Sequence, residues 1–407
     1  VVVNHGARAA GFVIGGVAVA TAAHAHERFV EHDLLVPLRN SFFLQGDGVL
    51  GVNGDIWSIT ARAASIAAAF IALWFLRQDI QTLIGDRVRR FGGRVQRPVH
   101  LLTCYLADRP IHHAGFKWFR EWAVTLFLRS PALVLMFSAT NDSLVMPSYP
   151  LDPSTATFFK FLQAALATLI LTQTALPLVG AAIFGVWLYL FSWGWAVAVD
   201  AMPVLTVAIA YAGAPWQSQK LNILEFNETQ IAWIRRVLGL GFFVLGWMKI
   251  LNHDLTAGVA DHFPSVMEDP MVQVLSYGTD PTIPRETWVV AFAMAEIMSG
   301  FLLMVGVYAR IWATIMTFVF TKLMVLDFGF DEIPHVFPIA AMLAVMTSNR
   351  LSSDLNRVEV VHDDLARRRR TVPRLALAIG VGAVVSAIVF FPGMIATTFA
   401  DRAWLGF

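Results

Sequence analysis

RRVLGLGFFVLGWMKILNHD, residues 235–254, holds two arginines, then only apolar residues and glycine as far as Lys249, and turns polar at Asn252. An α-helix of that length crosses most of a hydrocarbon core of roughly 30 Å, with a cation near each end. A buried helix of a soluble protein could read the same way, so the composition of the whole chain has to decide. Of 407 residues, 57% are hydrophobic and only 14% are charged, with a mean hydropathy of +0.61. Soluble globular chains carry roughly 25% charged residues. The chain therefore reads as an all-α polytopic integral membrane protein. Apolar segments long enough to span fall near 9–25, 56–76, 122–139, 158–175, 178–197, 201–214, 231–251, 288–308, 311–328, 333–348 and 375–396, about eleven in all. The sixth is short and nearly merges with the fifth, as a tilted or re-entrant piece would.

Lysine and arginine in short loops stay on the cytoplasmic side of a membrane. Alternating the spans puts 21 of the 30 Lys and Arg on one side, including Arg87, Arg89, Arg90, Arg94 and Arg367 to Arg370. The other side holds four, Arg28, Arg39, Arg285 and Arg402. The expected location is a bacterial-type cytoplasmic membrane, with the N-terminus inside and the C-terminus outside. The basic inner face then follows from insertion, and no nucleic-acid partner is needed to explain it. GFVIGGVAVATAAHA near the N-terminus has the pattern of a cleavable signal; if retained, it is the first span. The lone Cys104, in the basic inner loop, excludes dithiol chemistry by this chain alone, and no Walker loop, dinucleotide glycine fingerprint or haem-attachment motif is present.

Internal similarity organises the middle of the chain. DAMPVLTVAIAYAG from Asp200 and DEIPHVFPIAAMLA from Asp331 share an Asp, two residues, a Pro and a short apolar span, the pattern of a capped helix start. Arg129 parallels Arg235 or Arg236, and Gln163 parallels Glu296. The expected organisation is two N-terminal spans with a basic loop (1–120), a degenerate four-helix unit (121–214), a second four-helix unit (231–348), and a basic stretch with a C-terminal span (349–407).

In the second unit, Arg235 or Arg236 opens a helix whose far end carries Gly246 and Lys249. The next helix has Glu296, Gly300, Gly306 and Arg310 in the pattern E-x3-G-x5-G-x3-R. These residues resemble the DoxX family of small four-helix membrane proteins. The resemblance implies a redox neighbourhood, because family members look like subunits of quinone-linked oxidoreductases, thiosulfate:quinone oxidoreductase among them. It names no substrate.

Counting 1.5 Å per residue from the outer ends puts Glu296 roughly 12 Å down its helix and Lys322 roughly 9 Å. A charge at such depth costs on the order of 2–3 kcal/mol unless paired or wetted. The expectation is a Glu296–Lys322 pair beside His335, acting on a bound quinone, with proton exchange at Glu296. Lys249, Trp247, Trp288 and Asp331 would line the same site, with Asp331 orienting His335 from one helical turn away. The outer segment HAHERFVEHD offers His24, His26 and His32 as ligands for a metal or haem iron. Three functional classes fit: a quinone-binding subunit with a redox partner on the outer face, a structural or assembly subunit of a larger membrane complex, and a metal- or haem-handling protein. Whether the chain is itself an enzyme is left open.

Overall fold

The structure, a computed structural model, describes residues 67–74, 76, 93–145, 149–214, 216, 226–251, 285–322, 335–349 and 351. All regular structure among them is helical. Residues 67–74 form a helical piece. Ten longer or well-bounded helices follow: α1 (Gly93–Leu106), α2 (Ala114–Thr140), α3 (Pro153–Thr172), α4 (Leu176–Trp193), α5 (Trp195–Asp200), α6 (Met202–Ala212), α7 (Glu228–Leu251), α8 (Arg285–Val305), α9 (Ala309–Lys322) and α10 (Val336–Thr347).

Eight of the eleven expected spans thus have a helix in place. Those at 9–25 and 375–396 lie outside the described residues, as does most of 56–76. Helices α2, α3, α4 and the Glu228–Ile250 part of α7 are long and apolar enough to cross a membrane, and α6, α10 and the Phe292–Val305 part of α8 are shorter apolar helices. The near-merging of the fifth and sixth spans resolves into a break at Gly194, a single turn-and-a-half helix α5, and a fresh start at Met202 with Pro203 in its first turn. The indole of Trp187 ties α5 back onto α4 by donating to the Ala198 carbonyl at 2.9 Å.

Helix packing has a repeated plan. α2 lies on α3 as α7 lies on α8; α4 lies on α6 as α9 lies on α10; α10 crosses to α2 as α6 crosses to α7; and α6 meets α10. Exchanging α2 with α7, α3 with α8, α4 with α9 and α6 with α10 leaves this set of pairings unchanged. The connections repeat as well. α3 ends at Gln173 (φ 61°), whose N–H reaches the Leu169 and Ile170 carbonyls, and Thr174 N–H returns to Leu169. α8 ends at Gly306 (φ 76°), whose N–H reaches Leu302 and Leu303, and Val307 N–H returns to Leu302. Two residues further on, Ala175 and Tyr308 again have positive φ, 51° and 49°. These are the 6→1 and 5→2 bonds of a left-handed helix stop.

Candidate functional site

Among the described helices α7 and α8 have the most extensive contact, and glycine lets their backbones meet. A Cβ on Gly246 would lie 2.5 Å from the Ala293 carbonyl; one on Gly300 would lie 2.5 Å from both Gly239 O and Phe243 N. Backbones that touch at small residues are how membrane helices gain packing without a hydrophobic driving force. That approach lets Lys249, in the last turn of α7, reach Glu296 on α8. Nζ donates to Oε1 at 2.7 Å and to Oε2 at 2.9 Å. The two side chains retain 20% and 16% of their exposure, so the pair is largely buried yet reachable.

Depth counting pointed to Lys322 as the partner of Glu296. The carboxylate is instead taken by Lys249, because the glycine seam brings α7 against α8 while α9 makes a slighter contact with α8. Lys322 closes the described part of α9, partly buried. His335 is buried at the start of α10, its ring 4.9 Å from that of Phe320, which in turn stacks on Phe242 at 5.3 Å. Trp247 is partly buried on the α7–α8 seam, edge-on to Phe243. Trp288 falls in the first turns of α8, its side chain outside the described residues. Asp331, His24, His26 and His32 also lie outside them. Among the described residues, no group of three or more His, Cys, Asp and Glu is placed to hold a metal ion.

Asp200 was expected to cap the helix that follows it. The N-cap of α6 is Ala201, with no side-chain capping bond, and Asp200 Oδ2 accepts the phenolic hydrogen of Tyr149 at 2.5 Å. Burial, reinforced by the neighbouring Asp200 charge, holds the Tyr149 phenol well above its ordinary range, so it stays a donor. No local sequence signal marks Tyr149, which arrives from the loop between α2 and α3.

The opposite end of the bundle explains the rest of the E-x3-G-x5-G-x3-R pattern. Arg235, fully buried on α7, donates through Nη1 to the carbonyls of Leu303 and Met304, the latter at 2.6 Å. Its guanidinium fills the space over Gly306, where a Cβ would sit 2.8 Å from Cζ. Arg310, also fully buried, donates to the carbonyls of Arg109 (2.6 Å), Ser348 (2.6 Å) and Cys104 (3.2 Å), with the Tyr105 and Phe116 rings each 5.7 Å from its Cζ. Asp108 caps α9 from another segment, accepting from Ala309 N–H at 2.8 Å and Arg310 N–H at 3.0 Å. Burial pushes the Asp108 carboxyl up to about 6, against those two backbone bonds and the Arg310 charge. Cys104, the lone thiol of the basic inner loop, is buried within this docking.

A comparison with protein families matches residues 231–326 to the DoxX family model. That range contains α8, α9 and all of α7 but its first three residues, and stops before α10. No curated protein and no solved structure matches the chain. The chain is thus a membrane protein carrying a DoxX domain at 231–326, with the Lys249–Glu296 pair and both buried arginines inside it.

Proposed function

We propose that this chain is the membrane subunit of a quinone-linked oxidoreductase, in which Lys249, Glu296 and His335 hold a quinone head at the outer end of the DoxX domain. The observation that carries the reading is the Lys249–Glu296 pair, buried on a glycine seam yet still accessible to a ligand. Ionisable groups inside a membrane bundle are expensive and are retained where they bind or move something. The residues suit a quinone in kind: a lysine donor, a carboxyl able to hold or release a proton, and aromatic surfaces at Phe242, Phe320 and Trp247 for a flat ring. A bound quinone supplies two-electron, two-proton chemistry. Lys249 fixes the Glu296 carboxylate and gives up one hydrogen bond when a ring oxygen competes for it. Glu296 takes up and releases a proton at a carboxylate oxygen. His335, held against Phe320, presents an imidazole to the same end of the bundle.

The charge distribution of the sequence supports an N-terminus inside and a C-terminus outside, which places Lys249 at the outer face, where a redox partner subunit would dock. The repeated helix plan supports reading 121–214 and 231–348 as two copies of one unit. A second reading, an assembly subunit without its own chemistry, is favoured by Arg310, whose guanidinium ties the 93–113 segment (Cys104 and Arg109 carbonyls) to the end of α10 (Ser348 carbonyl). Quinone extracted from the purified protein separates the two. A stoichiometric quinone that Glu296→Gln loses supports the first reading, and quinone-free protein with intact complex assembly supports the second.

A further inference from the structure

Asp200 and its partner Tyr149 belong to the first four-helix set, yet Asp200 lies near the polar end of the second. Asp200 ends α5, which packs on α7, and a Cβ on Gly241 would come 3.8 Å from the Val199 carbonyl next to it. The Tyr149 hydroxyl from the α2–α3 loop bonds Asp200 directly, and the titratable side chains near enough to act on it by charge are His335, Lys249 and Glu296, from α10, α7 and α8. One carboxylate oxygen, Oδ2, is held by the Tyr149 phenol, whose ring is buried to 1% exposure and set edge-on against Trp193 at 6.2 Å. A helix cap would explain a lone Asp at this position, but α6 takes no side-chain cap from it.

We propose that Asp200 is a second proton-exchanging carboxyl of the quinone-head site, positioned by Tyr149, so that the site lies between the two units and draws on both. The inference rests on the quinone reading above. The quinone/quinol couple exchanges two protons with its site while the redox partner supplies or accepts two electrons, and Glu296 and Asp200 provide one carboxyl for each proton. Tyr149 holds Oδ2, which leaves Oδ1 to bind a proton and to release that same proton. Tyr149 keeps its own proton throughout and acts only by fixing the carboxyl plane.

The test uses the purified full chain in lipid nanodiscs, with decylubiquinone binding measured from pH 5 to pH 9. Asp200→Asn should weaken binding about 10-fold, the loss of one hydrogen bond involving a charged group. Tyr149→Phe should displace the pH midpoint of binding with a smaller loss, an effect that a merely structural tyrosine would not produce. If Asp200→Asn fails to fold, Tyr149→Phe carries the decision. Binding lost in Glu296→Gln but unchanged at every pH in Asp200→Asn and Tyr149→Phe overturns this inference and leaves the quinone reading standing. If the wild type itself binds no decylubiquinone, the quinone reading fails. A double-mutant cycle of Asp200→Asn with Lys249→Gln on the melting temperature then decides whether the cluster is shared: non-additive shifts support it, and additive shifts overturn it.

Discussion

Gln163 and Glu296 occupy matching places and do opposite things. Each lies ten residues before the left-handed stop of its helix, at Gln173 and Gly306. Each reaches back to the end of the preceding helix, fourteen residues beyond Arg129 in one case and beyond Arg235 in the other. Gln163, fully buried, donates to Ser143 O at 2.9 Å and accepts from Val145 N–H at 2.8 Å, and so closes on the backbone. Glu296 meets a lysine at the position that Ser143 holds in the first set. The first set satisfies its polar residue internally, on the backbone. The other keeps a partly accessible ion pair. The arginines diverge in the same way: Arg129 faces the Gln173 side-chain amide, whose oxygen, once the amide is turned toward the guanidinium, accepts from Nη2 at 2.9 Å and Nε at 3.2 Å, whereas Arg235 bonds main-chain carbonyls over a glycine. A shared backbone plan therefore need not carry shared chemistry, and the charges mark the half in which chemistry is expected.

The largest effect should come from exchanging the two stops. Gly306→Gln places a side chain into the Arg235 guanidinium at a positive φ and should prevent folding of the second set, seen as loss of monodisperse protein in size-exclusion chromatography. Gln173→Gly, the reverse change, should leave the protein monodisperse, because its backbone already suits glycine and only the Arg129 bond is lost. Equal damage from both would break the equivalence. Next in size is Gln163→Glu. It puts a charge opposite the Ser143 carbonyl with no lysine to meet it, and should cost about 3 kcal/mol or more of stability in a denaturant titration. Adding Lys at position 143 should recover part of that loss if the two places are alike.

The resemblance in sequence foresaw which residues would matter more than it foresaw their partners. Arg235, Gly246, Lys249, Glu296, Gly300, Gly306 and Arg310 all have structural work, and eight spans stand where hydropathy put them. Pairings were harder, because depth along a helix says how far down a charge lies and nothing about which neighbour it faces. The glycine seam that decides for Lys249 over Lys322 is a property of two helices together. Asp200 was visible but carried a complete local explanation as a cap, and its Tyr149 partner lies 51 residues away in a loop.

The smallest effect concerns the segment docked at the far end of the DoxX domain. The Asp108 carboxyl is raised from 3.8 to about 6 in the folded chain. Its contribution to stability is thus fully present below the unfolded value and lost as pH rises through about 6. Melting temperature should fall by about 2 °C between pH 5 and pH 7 from this group, and Asp108→Asn should flatten that slope while lowering stability through its weaker cap.

The measurement that bears most directly on the contrast between Gln163 and Glu296 is quinone-linked electron transfer in intact membranes, at matched protein levels, for Glu296→Gln. This variant gives the second set the residue type of the first. It keeps shape and hydrogen bonding while removing the exchangeable proton. Turnover should fall by about 10² or more, the usual worth of a positioned acid–base group, with assembly unchanged. Wild-type turnover in a fully assembled Glu296→Gln complex would contradict the account, and would leave the Lys249–Glu296 pair as a fastening between two helices.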